Sequence, residues 1–207
     1  MNINNPIVWS ITDGSQGMIS QTKGLAYEFN KNITEIKTDI LFPWSKLQPG
    51  ILPIYKWIFK NKIPKEKVPN IIISCGRKSV YLSIYIKKKF PSVINIHIQN
   101  PKISSNNFSY VISPNHDNFH GHNVLNSIGA LHHLYKKNET CNPNLVTCII
   151  GGDNKHYYFK NNETNKLCDK IIELKKNIKN IELNIITSRR TSDSIKRIII
   201  EKLEKIA

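Results

Sequence analysis

The feature that most constrains this chain is the alternation of short apolar runs with segments of helical periodicity. Runs such as 70–75 are continuous and rich in β-branched residues, which is typical of strands covered on both faces. The predicted strands are residues 6–12, 33–40, 70–75, 93–98, 110–113, 145–150 and 181–187. The predicted helices are residues 19–29, 54–59, 80–90, 163–178 and 192–206. Because strands that alternate with helices indicate βαβ crossovers, the sequence predicts an α/β fold with parallel sheets.

The same pattern divides the chain into two predicted domains. Residues 42–53 are rich in proline and read as a long loop, and residues 125–135 read as irregular or short regular structure. A polar linker at 137–144 separates a domain at 1–136 from a second at 145–207, where the pattern restarts. The second domain has only two predicted strands, fewer than a sheet usually has, so we expect it to be incomplete and the chain to be truncated.

Composition indicates a globular protein. The chain has 207 residues, of which 40% are hydrophobic. Its longest apolar stretch falls short of the roughly 20 residues of a membrane-spanning helix, and the N-terminus does not resemble a signal peptide. We predict a cytoplasmic protein without a transmembrane segment, which leaves peripheral contact with a membrane open. The four cysteines, Cys75, Cys141, Cys148 and Cys168, have no C-x-x-C spacing and are expected to be buried free thiols.

The charge balance is strongly basic, with 30 Lys and Arg against 15 Asp and Glu and a net charge of +15. Such an excess can steer a protein towards nucleic acid, anionic lipid or acidic metabolites. The lysines are spread along the chain, and the basic runs 87–89 and 175–176 fall on predicted helices, where solvated faces are usual. No basic motif is interleaved with aromatic residues, which disfavours nucleic acid. A protein or an anionic membrane surface remains a candidate partner.

Five predicted strands run directly into polar turns. Ligands of parallel sheets bind outside the carboxyl ends of the strands, so these turns predict a polar ligand the size of a phosphate or a sugar. The turns are Asp13-Gly14-Ser15-Gln16-Gly17, Gly76-Arg77-Lys78, His116-Asp117, Gly151-Gly152-Asp153-Asn154 and Ser188-Arg189-Arg190-Thr191.

The first two turns offer backbone and guanidinium contacts to an anion. Gly14 and Gly17 permit close approach to a ligand before a helix N-terminus, although the G-x-G-x-x-G spacing of a dinucleotide site is missing. The guanidinium of Arg77 can donate two parallel hydrogen bonds to a phosphate or a carboxylate. The structural alternatives are a plain tight turn and a surface arginine.

The segment from His116 to His122 holds three imidazoles and a carboxylate, a set that can ligate zinc. Pro114 and Gly121 indicate a loop without clear ligand spacing, so we predict no metal site. His116 could act as a general base oriented by Asp117, or donate a hydrogen bond to a ligand. The alternative is a structural loop histidine.

The two turns of the second domain also have a functional and a structural interpretation. Gly151 and Gly152 allow a ligand to approach the backbone, and the segment 188–191 combines two arginines, hydroxyl groups and a helix start. Together these groups could hold a pyrophosphate. The alternative is a capped helix, with Thr191 or Ser192 as N-cap, and solvated arginines. The G-x-S-x-G, Walker A and H-E-x-x-H motifs are absent, which excludes α/β-hydrolases, P-loop NTPases and zincin proteases.

Taken in order along the chain, these motifs resemble the mitochondrial fission family named for the elongated-mitochondria plant protein, which also has bacterial members. The resemblance runs from Val8 to Thr191. It rests on Trp9, Asp13-Gly14, Gly17, Gln21, Gly24-Leu25-Ala26, Ser74-Cys75-Gly76-Arg77, Gln99, Pro101, Pro114, His116-Asp117, Asn123-Val124, Gly129-Ala130, Gly151-Gly152-Asp153 and Thr187-Ser188-Arg189-Arg190-Thr191.

The resemblance implies a fold like the type-B glycosyltransferases, with two Rossmann-like domains facing across a cleft and the donor nucleotide mainly on the C-terminal one. Family members continue past the Ser-Arg-Arg-Thr segment, which implies that the second domain is incomplete here. The five turns would then contribute to one ligand site between the domains.

Two functions follow as hypotheses. In the first, the protein binds a nucleoside-diphosphate sugar as substrate, without a separate cofactor, and transfers the sugar with His116 as base and Asp117 as its orienter. The predicted ligand-binding residues are Asp13, Gly14, Gly17, Gln21, Gly76, Arg77, Asn123, Gly151, Gly152, Asp153, Ser188, Arg189, Arg190 and Thr191. In the second, it is a non-catalytic adaptor, as the plant members are linked to recruiting a dynamin-related GTPase to mitochondria.

Overall fold

The computed structural model describes residues 5–51, 53–60, 63–64, 68–134, 142–154, 156–204 and 206. The chain forms two compact units, Met1–Lys136 and Lys137–Ala207. Most of the predicted linker at 137–144, including Cys141, lies outside the described residues.

The first unit is built on a six-stranded sheet in which every pairing is parallel. Its strands are β1 (Val8–Thr12), β2 (Ile33–Lys37), β3 (Ile71–Cys75), β4 (Ile94–Ile98), β5 (Tyr110–Pro114) and β6 (Val124–Ser127). The spatial order is β2-β1-β3-β4-β5-β6. This Rossmann-like sheet confirms the predicted α/β class and the parallel arrangement.

Two helices, α1 (Gln16–Phe29) and α2 (Arg77–Lys89), cover opposite faces of this sheet. Successive side chains of β1 point to opposite faces of the sheet. Val8 packs with Ala26 of α1 on one face, and Trp9 packs with Leu82 of α2 on the other. All five residues of β3 are buried. A central strand between two helical layers needs apolar residues on both faces, which is the continuous pattern seen in its sequence.

One local prediction for the first unit was wrong, and another is now specified. The predicted helix at 54–59 is only a single 3-10 turn, Lys56–Ile58, because its backbone bonds instead to a neighbouring segment: Leu41 donates to the carbonyl of Ile58 at 2.8 Å. The segment at 125–135, predicted to be irregular or short regular structure, contributes to the short strand β6, which pairs with β5 along four residues. Its outward-facing Leu125 is 59% exposed, so β6 lacks the apolar continuity of the central strands.

The second unit contains a two-stranded parallel sheet of β7 (Leu145–Ile150) and β8 (Glu182–Thr187) with helices α3 (Asn161–Asn177) and α4 (Asp193–Leu203). Its core is one apolar cluster from both strands and both helices, including Ile150, Cys168, Ile195 and Leu203. On the sheet, Ile149 remains 75% exposed. In the part of the chain that the structure describes, no helix combines the length and apolar composition that a membrane span requires.

Candidate functional site

A cavity of about 320 Å³ lies at the carboxyl end of the six-stranded sheet. It is lined by Gln21, Gln99, Asn100, Lys102, Pro114, His116, Asp117 and Ala130. These residues come from α1, from the end of β5 and from the segments that follow β4, β5 and β6. Three of the predicted site residues, Gln21, His116 and Asp117, are thus brought together at the edge where parallel sheets bind ligands.

Gln21 carries an unusual polar atom. Its side chain is only 9% exposed, and its Oε1 has no hydrogen-bond partner among the described residues. Leaving a buried acceptor unpaired costs about 1 to 3 kcal/mol, so native proteins rarely tolerate it without a reason. A ligand that donates a hydrogen bond would satisfy this atom.

His116 and Asp117 sit on a short 3-10 turn, Asn115–Asp117, directly after β5. The imidazole of His116 is 73% exposed, and its Nε2 lies 3.8 Å from Asp117 Oδ1, beyond hydrogen-bond distance. The other carboxylate oxygen of Asp117 accepts a hydrogen bond of 3.2 Å from the backbone N–H of Asn100. Asp117 therefore ties the loop after β5 to the loop after β4.

The loop after β4 contributes cavity residues that the sequence analysis did not select. Gln99 and Lys102 have positive φ angles of 79° and 59°, a conformation that non-glycine residues adopt rarely. The side chain of Asn100 stabilises this sharp turn by accepting a hydrogen bond of 2.8 Å from the N–H of Lys102. Backbone strain of this kind clusters at functional sites. The sequence feature that could have indicated these cavity residues is the polar run around Pro101, which directly follows a predicted buried strand.

The glycine turn after β1 is closed by its own side chains. Thr12 Oγ1 accepts from the N–H of Gly14 at 3.1 Å, and Asp13 Oδ1 accepts from the N–H of Ser15 at 3.0 Å. Gly14 has a φ of +89°, a backbone conformation that favours glycine. At Gly17, by contrast, an added Cβ would meet only open space. In this structure, the carboxylate of Asp13 stabilises the turn.

Arg77 and Asn123 are both engaged with the protein. The guanidinium of Arg77 donates to the carbonyl of Ser45 at 2.9 Å. Asn123 is 8% exposed, and its amide donates to the carbonyls of Ser105 and Phe108 at 3.0 and 2.9 Å. Its Oδ1 has no hydrogen-bond partner in the described part of the chain. Gly76, which precedes α2, has a φ of +94° and accounts for the sharp entry into that helix.

The two polar turns of the second unit contact each other. Thr191 Oγ1 donates to the carbonyl of Gly151 at 2.7 Å and accepts from the N–H of Ser188 at 2.9 Å. A Cβ on Gly152 would lie 1.8 Å from the carbonyl oxygen of Arg190, so only glycine fits there. The side chains of Arg189 and Arg190 are exposed beside this closed turn.

A second cavity, of about 440 Å³, lies at the N-termini of α3 and α4. Asp153 lines it together with Lys160 and Ser192, and its carboxylate accepts a hydrogen bond from the N–H of Phe159. Ser192, one of the two N-caps considered from the sequence, caps α4 by accepting from the N–H of Ile195 at 3.4 Å.

The cysteines and histidines do not assemble into a metal centre in the described ranges, where no group of three or more His, Cys, Asp or Glu could hold an ion. Cys75 and Cys168 are buried free thiols, whereas Cys148 is half-buried, so the expectation of burial was wrong for that residue. Burial, reinforced by the charge of Asp13, raises the pKa of the Cys75 thiol to about 12. This thiol stays protonated at neutral pH and is a poor nucleophile.

Comparisons with known proteins identify the family. The chain is 30% identical over 114 residues to an uncharacterized protein of Rickettsia prowazekii (strain Madrid E), an alignment that covers 53% of this chain and 32% of the relative. The chain thus spans about a third of the length of this curated relative. No solved structure matches the chain significantly. The family model described as Mitochondrial fission ELM1 matches residues 16–207, and the chain therefore belongs to the mitochondrial fission ELM1 family.

Proposed function

We propose that this protein binds a nucleoside-diphosphate sugar and transfers the sugar to an acceptor. The observation that carries the proposal is the unpaired, buried Oε1 of Gln21 on the cavity at the carboxyl end of the sheet. Sugar hydroxyls are hydrogen-bond donors of the kind that this oxygen lacks. The proposal includes a type-B glycosyltransferase-like architecture, in which the unit Lys137–Ala207 forms part of a second Rossmann-like domain.

The cavity residues have the chemistry that a sugar ligand requires. The amide of Asn100 and the ammonium of Lys102 border the same cavity as Gln21, so acceptors on the ligand would also find donors. Together with the carboxylate of Asp117, which can accept hydrogen bonds from hydroxyl groups, these uncharged and basic groups suit a sugar attached to a phosphate.

We assign His116 the role of general base in the transfer. Its exposed imidazole lines the cavity and would take the proton from an acceptor hydroxyl as that oxygen bonds to the anomeric carbon. The bond from the anomeric carbon to the diphosphate breaks, and the diphosphate leaves with the electron pair. Catalytic hydrogen bonds are often long without substrate, so we expect the 3.8 Å between His116 and Asp117 to shorten in the complex.

In the second unit, we assign the phosphate contacts to the joined turns of Gly151–Gly152 and Ser188–Thr191. Exposed guanidiniums of Arg189 and Arg190 flank this turn, and the start of α4 follows it. Guanidinium groups and a helix N-terminus both favour a doubly charged diphosphate.

Isothermal titration calorimetry with nucleoside diphosphates and their sugars tests the proposal. We expect the wild type to bind at least one nucleotide sugar and Gln21→Leu to bind it about tenfold more weakly, because one hydrogen bond to the ligand is lost. The same substitution should raise the free energy of unfolding by about 1 kcal/mol, since it removes a buried unpaired acceptor. Urea unfolding followed by tryptophan fluorescence measures this second effect.

Gln48→Leu is the matched control, because Gln48 is exposed and does not line the cavity. It should change neither the affinity nor the stability appreciably. A wild type that binds no nucleotide sugar would contradict the proposal and favour the alternative of a non-catalytic adaptor for a protein partner such as a dynamin-related GTPase. An unchanged affinity in Gln21→Leu would remove Gln21 from the site.

A further inference from the structure

The long segment between β2 and β3 exposes a group of aromatic and apolar side chains, which we name the aromatic patch. It consists of the exposed Leu41, Phe42, Tyr55 and Trp57 together with the half-buried Trp44. Phe42 is 71%, Tyr55 61% and Trp57 54% exposed. Single exposed apolar residues are common, but a cluster of large ones on one surface marks an interaction site.

The members of the aromatic patch contact one another across the segment. The Trp57 ring lies 5.4 Å from that of Trp44 and 6.3 Å from that of Tyr55. Leu41 donates a backbone hydrogen bond to Ile58 at 2.8 Å, which places the chain at 41–42 beside the chain at 57–58. The rings of Trp44, Tyr55 and Trp57 therefore form one cluster, and the chain at 41–42 lies beside it.

The surroundings of the aromatic patch are positively charged. In the described part of the segment 40–65, Lys46, Lys56 and Lys60 are exposed, and Lys60 lies 3.5 Å from the carboxylate of Asp39. Exposed Lys56 stands between Tyr55 and Trp57, and the Nζ of Lys46 lies 5.3 Å from the centre of the Phe42 ring. Ammonium groups thus border the aromatic rings on the same surface.

The segment that carries the patch is fixed to the body of the first unit. The hydroxyl of Tyr81 donates to the carbonyl of Gln48 at 2.7 Å, and Arg77 donates to the carbonyl of Ser45 at 2.9 Å. Both donors belong to α2. Because the backbone is held at two points, binding through the patch would not require the whole segment to be ordered first.

We propose that the aromatic patch docks this protein on an anionic lipid bilayer. Tryptophan and tyrosine rings suit the headgroup level of a membrane, and neighbouring lysines are attracted by anionic lipids. The basic residues of the segment 40–65 itself are all lysines, which protein–protein interfaces deplete while they enrich arginine, and the guanidinium of Arg77 nearby is bonded to the carbonyl of Ser45. The surface therefore fits a bilayer better than a protein partner, and this docking is independent of nucleotide binding.

Co-sedimentation with vesicles tests this docking surface. We expect the wild type to sediment with vesicles of phosphatidylcholine and phosphatidylserine, and to remain in the supernatant with vesicles of phosphatidylcholine alone or in high salt. Phe42→Ser/Tyr55→Ser should weaken binding at least about tenfold. Lys46→Glu/Lys56→Glu should weaken it by about fivefold or more for each lysine.

Two control variants carry the same substitutions in the second unit. Tyr157 and Tyr158 are 74% and 71% exposed, and Lys166 and Lys170 are exposed on α3, so Tyr157→Ser/Tyr158→Ser and Lys166→Glu/Lys170→Glu match the patch variants in chemistry. We expect the controls to bind vesicles within about twofold of the wild type. Circular dichroism confirms that each variant is folded.

Two results would overturn the docking proposal: a wild type that stays in the supernatant with anionic vesicles, and patch variants that bind as well as the control variants. Docking of a second copy in place of a bilayer would appear as a wild-type oligomer that Phe42→Ser/Tyr55→Ser converts to a monomer.

Discussion

His97 is a buried titratable residue that the candidate site does not use. Its ring is 1% exposed, its Nδ1 lies 2.9 Å from Ser74 Oγ, and it packs 5.1 Å from the ring of Phe108. Burial lowers the pKa of His97 from 6.5 to about 3. The folded protein therefore holds a neutral imidazole over a range in which an unfolded chain binds a proton.

This difference makes the stability of the first unit depend on pH. Above the unfolded pKa of 6.5 the contribution of His97 to stability is fully present, and it is lost as the pH falls from there towards 3. We expect the free energy of unfolding to fall by up to about 1.4 kcal/mol per pH unit in that range, and His97→Asn to lose this slope. All three tryptophans lie at or before residue 57, so urea unfolding followed by tryptophan fluorescence reports on this unit.

Comparing how the free energy of unfolding changes with pH in the wild type and in His97→Asn separates the effect of His97 from that of other groups that titrate in the same range. His97→Asn also changes packing, but that loss is the same at each pH. An unaltered slope in His97→Asn would contradict the prediction.

Among the elements, the two turns that follow β7 and β8 are joined by a backbone contact. Gly152 approaches the carbonyl group of Arg190 so closely that an added Cβ would lie 1.8 Å from its oxygen and 2.3 Å from its carbon. Both atoms belong to the backbone, and they cannot move aside as a flexible side chain would. Gly151, next to it in sequence, has open space around its added Cβ.

We expect Gly152→Ala to destabilise the second unit by about 3 kcal/mol and Gly151→Ala to change it by less than about 0.5 kcal/mol. Amide hydrogen exchange in β7 and β8 measures the effect within this unit, because faster exchange reports easier opening. Gly151→Ala is the matched control. Equal protection in both variants would show that the contact with Arg190 is not a constraint.

For the whole molecule, the dominant electrostatic property is the net charge of +15. Like charges repel one another more strongly in a compact state than in an expanded chain, and salt screens that repulsion. The few exposed ion pairs, such as Lys23–Glu35 at 2.8 Å, contribute little in comparison.

We therefore expect the Tm to rise by a few degrees when sodium chloride is raised from about 10 mM to about 150 mM. Lys166→Glu/Lys170→Glu lowers the net charge and should show a smaller increase. Thermal unfolding followed by circular dichroism measures both proteins. A Tm that falls with salt would mean that attractive pairs outweigh the repulsion.

Local sequence patterns predicted most of the regular elements, because a strand that is buried on both faces needs apolar residues at consecutive positions. The strand at 70–75 and the helix at 80–90 correspond to β3 and α2 with small shifts at their ends. The pattern failed for 54–59, whose backbone pairs with residues at 39–41, and it left the type of structure at 125–135 open, where β6 pairs with β5. Both depend on contacts with other segments of the chain.

The candidate site, too, could be predicted from the sequence only in part. His116 and Asp117 could be selected because they follow a predicted strand, but Lys102 joins them only through the folded loop after β4. The hydrogen-bond partners of Arg77 and Asn123 could not be predicted from their sequence positions, since both side chains donate to carbonyl groups of other segments.

By itself, the sequence determined the parallel α/β class and the strand ends at which polar residues gather, because apolar periodicity reflects local geometry. The tertiary structure alone decided that the Oε1 of Gln21 is buried without a partner among the described residues, that Gly152 lies against the backbone of Arg190, and that the rings of Trp44, Tyr55 and Trp57 meet. These properties depend on which distant segments meet, and periodicity does not encode such encounters.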